Sequence, residues 1–550
     1  METEQLAKKD IFLEKTKKVM GQIEGFVNKA VYTDYFIWTL LAISFIAWVT
    51  ECAPVGIITI GIILSFVLAF SRDILPLFVS VFCASLMIYT KNLDEFLYLW
   101  PVAIPLGIAL VIFIVRNSIR KHKDGEKFRL GKMFFPQLAV SVVLFIGGAG
   151  VISGEGYVAS LPNIFGLGVA GLVVYMLAHN FISTDNTADR TTYFAKALAY
   201  IGVIIAVQLV VVIIKSGLDP SQWAKAYWHV GWGNRNSIST FLLFTAPMCL
   251  YLSTKQRFSV VYLLMTVLQY GALILTFSRG GILFGFIALV FGVVFVIIKA
   301  KDRKRMLIYF GVVCGVVLIM YFIFMKDINN AIKSLLSRGT GLSGRDELYA
   351  EAWELFKQNP FHGNGLGLVG KAGIFGDVVS MYWFHSTLFQ VLACMGILGI
   401  VAYGYGYVVK GILLGKNIRN GFNLFVLVVF IGFEGYSMMD VGTFVPGAFP
   451  LIVLVLMCLV EMFTSTPEMI ETDKLAMETA KAERKARAKG KLKEDRNDMV
   501  EDDETVSTDT ETMPSNEEDV EGIMEENKSI VEEENIIEEE NIIENDGKNE

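Results

Sequence analysis

The chain has 550 residues, 54% of them hydrophobic, and a formal net charge of −7. Its mean hydropathy of +0.51 is more than a soluble domain can hide, since soluble chains carry about 45–50% apolar residues with glycine counted. The acidity lies in the C-terminal tail, whereas the apolar spans before it are flanked by Lys and Arg, so the overall charge argues for no nucleic-acid partner.

Residues 1–33 form a polar segment carrying Lys8, Lys9, Lys15, Lys17, Lys18 and Lys29. No short apolar core followed by a small-residue cleavage site occurs there, so the first span is expected to act as an uncleaved anchor. Apolar runs of about twenty residues, the length that crosses a hydrocarbon core of about 30 Å, then recur from Tyr35 to Met462. They fall near 35–51, 54–71, 74–90, 96–115, 134–152, 161–180, 195–214, 237–253, 259–277, 281–298 and 306–325, and again near 385–409, 422–438 and 446–462. The first three are short and tightly joined, and the last two are divided by Asp440 and Pro446. The expected fold is therefore all-α, a polytopic transmembrane bundle of about 12–14 spans. Residues 34–325 hold spans one to eleven, 326–384 form a long hydrophilic insert, and 385–463 hold the last three spans. The six cysteines lie in or beside apolar runs without CxxC spacing, as small hydrophobes of buried helices do.

Orientation follows from the basic connections. The N-terminal segment and the connections at 116–132, 253–257, 299–305 and 410–419 are all basic, and cytoplasmic loops collect Lys and Arg. Both termini are thus expected in the cytoplasm. The 215–236 loop, the SRGG turn at 278–281 and the 326–384 insert then face outward. The tail, 464–550, carries a charged segment (470–496) and the tandem hexamer EEENIIEEENII (532–543). Such a composition cannot bury enough apolar surface to offset its ordering entropy, so the tail is expected to be disordered.

Each outward segment brings an arginine. Arg235 stands between Asn234 and Asn236, and Arg279 sits in TFSRGG. Arg338 and Arg345 lie in the insert, where Arg345 opens RDELYAEAWELFKQ. Ser343 with Asp346 matches a loose capping box, and Leu348, Ala352, Leu355 and Phe356 recur on one face. This predicts an amphipathic helix of about four turns, stopped at Asn359-Pro360. Arginine near membrane depth is costly unless paired or facing water, and a guanidinium is a planar, permanently charged fork suited to phosphate. Of the five histidines, His385 begins a span at the outer mouth of the bundle, where a neutral imidazole could take a proton from a sugar hydroxyl. His122, His179, His229 and His362 show no metal spacing. GNGLGLVG (363–370) has no preceding strand and reads as a turn rather than a nucleotide cradle. No outward acidic cluster suggests a metal, and no cofactor is expected.

Four stretches, GWGNRNSIST (231–240), TFSRGGILFGFIALV (276–290), GRDELYAEAWELFKQNPFHGNGLG (344–367) and HSTLFQVLACMGILGIV (385–401), resemble the O-antigen ligase and O-antigen polymerase superfamily of bacterial envelope enzymes. The resemblance implies metal-independent, inverting glycosyl transfer on the outer face of the cytoplasmic membrane. The donor would be a glycan on a polyprenyl diphosphate and the acceptor a sugar hydroxyl, with membrane lipid and other polysaccharide-assembly proteins as further partners. Arg235, Arg279 and Arg345 would hold the diphosphate and His385 would deprotonate the acceptor, supported by Arg338, Asn234 and Asn236. Many members carry His-Asn in the last stretch; this chain has His385-Ser386, so no asparagine amide is available there. Ligase and polymerase remain alternatives, a span count near fourteen favouring polymerase. The competing class is a transporter or flippase of lipid-linked oligosaccharide, against which the chain shows no internal repeat.

Overall fold

The computed structural model describes residues 2–463 apart from 91–92, 150–160, 162–163, 185–187, 224, 227, 256–258, 337–343, 370–378, 382, 417, 441 and 443–447. The expectations for the tail, Arg338 and Ser343 lie outside the described residues. Apolar runs in hydrocarbon must satisfy every backbone group internally, and accordingly the described chain is helical nearly throughout. The helices are α1 (Glu2–Ala30), α2 (Asp34–Val49), α3 (Ala53–Phe70), α4 (Leu75–Ser85), α5 (Ala103–Lys123), α6 (Phe134–Ala149), α7 (Ala170–Phe181), α8 (Arg190–Ser216) and α9 (Arg235–Lys255). They continue as α10 (Ser259–Leu275), α11 (Arg279–Lys299), α12 (Arg303–Ile323), α13 (Met325–Leu336), α14 (Arg345–Gln358), α15 (Thr387–Lys416), α16 (Gly421–Ser437) and α17 (Ala448–Met462). Two three-residue strands, β1 (Gly367–Val369) and β2 (Val379–Met381), pair antiparallel between α14 and α15.

Each predicted apolar segment falls on a helix, so the fold is the expected all-α polytopic bundle. Eight described helices are long and apolar enough to cross a bilayer, or nine if α1 and α2, which meet at 75°, count as one span. Of the other apolar helices, α16 has the expected length, while α4, α6, α10 and α17 are shorter than the sequence pattern suggests. The 11 residues of α4 rise only about 16 Å, and the chain then turns under the 229–234 loop, where Leu86 O accepts Gln208 Nε2 at 2.8 Å.

At the centre stands α9, which buries almost all of its surface against α8, α10, α11 and α16, while α5 and α12 keep most of theirs toward the surroundings. A polar link ties three core helices. Gln269 takes Thr245 Oγ1 at 2.7 Å and donates to Ala199 O at 2.9 Å, in space left free because residue 202 is glycine. Across the helix pair α15–α16, Lys410 donates to Glu434 at 2.8 Å, with both side chains buried.

The two ends of the bundle are distinct. At one, Lys299 Nζ reaches Arg419 O, 2.5 Å away, joining the end of α11 to the start of α16. At the other, Ser278, just before α11, meets Tyr436, near the end of α16, at 3.0 Å. Long α15 is broken at Gly396, whose φ of 61° and ψ of −153° are not helical. The loop 359–366 repairs the break: Asn364 N and Gly365 N donate to the carbonyls of Ala393 and Cys394, while Pro360 and Phe361 carbonyls accept from Ile397 N and Leu398 N, all at 2.8–3.1 Å. A Cβ at Gly363 would lie 2.2 Å from the backbone of Cys394, and one at Gly396 2.5 Å from Pro360 O. The first part of the turn expected at 363–370 belongs to this clip, which lets a helix break without orphaned backbone groups, whereas Gly367–Val369 form strand β1 instead of continuing the turn.

Candidate active site at the arginine end of the bundle

Arg235, Arg279 and Arg345 are each the first residue of a helix, α9, α11 and α14. Each guanidinium thus starts beside backbone N–H groups that carry about half a positive charge per helix end. His385 lies two residues before α15, so a fourth helix N-terminus belongs to the same region.

The local sequence accounts for each placement. Asn234 caps α9, its Oδ1 accepting from Asn236 N at 2.9 Å and Ser237 N at 3.1 Å. Its side-chain oxygen is thereby committed to the helix end. The preceding turn is pinned by Trp48 Nε1 to Val230 O at 2.9 Å and Trp232 Nε1 to Gln208 Oε1 at 3.0 Å. Gly231, with φ of 88°, passes so close to Tyr89 that a Cβ would come within 2.4 Å of its backbone. The SRGG turn is set the same way: a Cβ at Gly280 would meet the Tyr436 ring at 2.8 Å, and one at Gly281 would meet Ser239 at 2.7 Å. Only glycine lets α11 approach α9 and α16 this closely.

Helix α14 has the predicted length and packs against α15, with Leu348, Ala352 and Leu355 in the apolar cluster there, whereas Phe356, expected on the same face, is not part of that cluster. Its cap differs from the expected box. The N-cap is Gly344 at φ 76°, with no side-chain cap bond, because a left-handed entry suits glycine and leaves the first turn to Arg345.

Asp440 joins these parts. It is buried to 7% exposure, just beyond α16. Its Oδ1 stands 3.2 Å from His385 Nδ1, and its Oδ2 accepts from Tyr436 OH at 3.2 Å and lies 3.9 Å from Arg345 Nη2. Arg345 Nη1 also donates to Met439 O. Tyr436 OH contacts Ser278 Oγ, and Ser239 Oγ contacts Thr276 Oγ1 at 2.8 Å while donating to Arg235 O at 2.9 Å. With Ser278 N donating to Thr276 Oγ1 at 3.2 Å, a run of hydroxyls links the Arg235 backbone carbonyl through Ser278 and Tyr436 to Asp440, which faces Arg345 and His385. Arg235 and Arg279 are half-buried, and each takes part in further interactions.

His385 has φ of 49°, one of three non-glycine residues in the left-handed region among the described residues; Phe277, two residues before Arg279, is another at 53°. Such a backbone costs about 1–3 kcal/mol and persists only where the surroundings enforce it. Here Tyr349 OH, on α14, donates to His385 O at 3.2 Å, and its ring stacks on Phe389 at 4.5 Å. Burial raises the Tyr349 hydroxyl above its ordinary pKa, partly opposed by Arg345, so it remains a donor. His385 keeps 39% of its side chain exposed, against 22% for Arg345. The structure thus brings Arg345 and His385 onto one carboxylate, while the hydroxyl chain reaches Arg235 at its backbone carbonyl and passes Ser278, the residue before Arg279. Asp440 is the residue sequence reasoning missed, having read it only as a break between the last two spans. The available signal was a carboxylate at the end of an apolar helix, which needs a partner in such surroundings.

His229 Nδ1 accepts Gly231 N at 2.9 Å, His362 Nδ1 contacts Gly363 O at 2.9 Å, and His179 lies with Glu461 at the far end.

Residues 261–404 match the family model described as Wzy_C: O-Antigen ligase. The match takes in Arg279, Arg345 and His385, while Arg235 and Asp440 fall outside it. No curated protein matches the chain.

Proposed function

We propose that this multi-pass membrane protein, whose residues 261–404 match the family model described as Wzy_C: O-Antigen ligase, is an enzyme that transfers a glycan from a polyprenyl diphosphate to a sugar hydroxyl. The observation that carries the reading is the junction at Asp440, which brings a guanidinium at a helix N-terminus and a half-exposed imidazole onto one carboxylate.

With Nδ1 donating to Asp440, the opposite ring nitrogen of His385 is the proton acceptor. The acceptor hydroxyl attacks the anomeric carbon, its proton passes to that nitrogen, and the carbon–oxygen bond to the diphosphate breaks. Negative charge grows on the leaving diphosphate. Arg235, Arg279 and Arg345, with the positive helix ends behind them, hold and stabilise it. Asp440 in turn stabilises the imidazolium as it forms. A single displacement of this kind inverts the anomeric centre, and the cations it needs are supplied by side chains rather than by a resident metal.

The site faces outward across a cytoplasmic membrane, with both termini inside. This is supported by the basic connections, which gather at the bundle end where Lys299 meets Arg419, away from the arginines. Such a site meets lipid-linked donors rather than soluble sugar nucleotides. Chain extension on a second lipid-linked glycan is the reading favoured by the number of apolar helices.

The test is turnover of a polyprenyl-diphosphate-linked glycan by the purified chain in vesicles. Wild type should release polyprenyl diphosphate and build a ladder on lipid. Single R345A and H385N variants of normal abundance should do neither. Normal product from both would end the assignment, and transfer to a different acceptor without a ladder would make the enzyme a ligase.

A further inference from the structure

At the far end of the bundle, the segment joining α5 to α6 closes a polar cavity of about 860 Å³ against α7 and the end of α17. Six cationic side chains line it against three carboxylates. Three of the cations are already engaged: Arg72 and Arg120 by Glu24, and Lys121 by Glu126 at 2.9 Å. The other three, Lys127, Arg129 and Lys132, form no side-chain ion pair among the described residues. Of the carboxylates, Glu461 is occupied by Lys132 N at 2.8 Å, Tyr175 OH at 2.9 Å and His179 Nε2 at 3.5 Å, and Asp124 is the last.

The segment is held in shape. Asn180, 2% exposed, accepts Arg129 N at 2.9 Å and donates to Arg129 O at 3.0 Å, fixing both backbone groups of that residue. Between the cations stand two apolar side chains, Phe128 at 56% exposure and Leu130 at 47%. Phe128 is anchored edge-on to Phe181, with ring centroids 5.8 Å apart. Exposed Phe and Leu alternating with Lys and Arg match the boundary of a bilayer, where apolar groups enter beneath the headgroups and cations meet phosphates.

We propose that this cavity binds the phosphate headgroup of an anionic phospholipid through Lys127, Arg129 and Lys132, with the acyl chains passing Phe128 and Leu130. A phosphate in the cavity would neutralise the three uncommitted cations while the lipid covers the two exposed apolar side chains. A soluble phosphate compound would satisfy the first requirement only.

The experiment titrates the full chain in neutral detergent with short-chain phosphatidylglycerol, short-chain phosphatidylcholine or glycerol 3-phosphate, reading the unfolding temperature. Phosphatidylglycerol should raise it saturably, and phosphatidylcholine should not. The triple variant K127Q/R129Q/K132Q changes only exposed side chains and should weaken phosphatidylglycerol about a hundredfold at low salt. A second variant, F128S/L130S, keeps the cations and should weaken phosphatidylglycerol while leaving any response to glycerol 3-phosphate unchanged. Equal stabilisation by both lipids, or a triple variant that titrates like wild type, would overturn the proposal. Glycerol 3-phosphate acting at the same concentration as the lipid would also overturn it, making this a soluble-phosphate site.

Discussion

Replacing Asp440 by asparagine separates orientation from binding at the proposed active site. The amide is isosteric and still accepts from Tyr436 OH, so the fold should survive, but the charge facing His385 at 3.2 Å and Arg345 at 3.9 Å is lost. A unit charge pair near 4 Å is worth about 4 kcal/mol at the effective dielectric of a protein surface and about 1 kcal/mol in water. With His385 partly exposed and Asp440 buried, the imidazolium formed during transfer should lose between these values. The corresponding fall in kcat is about fivefold to a thousandfold. The donor should behave oppositely. Asp440 opposes the field of Arg345, so removing it leaves more positive charge for the diphosphate, and KM for the donor should stay level or fall. The assay is initial-rate release of polyprenyl diphosphate in vesicles against donor concentration. D346N serves as control, an exposed carboxylate in the first turn of α14, expected to stay within about twofold. An unchanged kcat for D440N, or a rise in KM with kcat intact, would refute the role given to this carboxylate.

Other consequences can be measured directly. H385N should lose at least about a hundredfold in rate, the share of a general base, while keeping the thermal stability of wild type, because asparagine tolerates the left-handed backbone at φ 49°; a stable, active H385N would exclude the imidazole as base. R279K and R345K keep the charge but lose the planar fork, and each should lower kcat/KM for the donor about tenfold or more, with no loss if the arginines act only as headgroup anchors. G363A should destabilise the chain by more than about 3 kcal/mol, since its Cβ would strike Cys394 at a φ of 71°; unfolding near the wild-type temperature would show that the clip on α15 yields. E434Q should cost about 3–5 kcal/mol by stranding the buried Lys410, read as the same temperature shift. In a background lacking the exposed Cys52 and Cys314, D346C and K304C should be labelled by impermeant thiol reagents from opposite sides of the membrane; labelling from one side would overturn the orientation.

The apolar runs were legible because a bilayer imposes one rule on every backbone group, and that rule acts locally. Hydropathy alone therefore located each helix from α2 to α12 and from α15 to α17, and the insert helix α14 followed from period and stop signal. The arginines were legible as a class, being permanently charged side chains beside apolar spans. Their meeting was not. Whether Arg345 and His385 share a partner depends on how the end of α16 reaches between α14 and α15, which separates Asp440 from Arg345 by 95 positions in sequence and by 3.9 Å in space. The clip of residues 359–366 on the break at Gly396 was hidden for the same reason, since a glycine within a span looks the same whether it breaks a helix or admits a neighbour. The sequence by itself determined a helical membrane bundle with arginines and one histidine at span mouths, because burial and charge are properties of each residue in its own segment. The tertiary structure decided that Asp440 lies between Arg345 and His385, because a carboxylate finds its partners only after distant helices have packed.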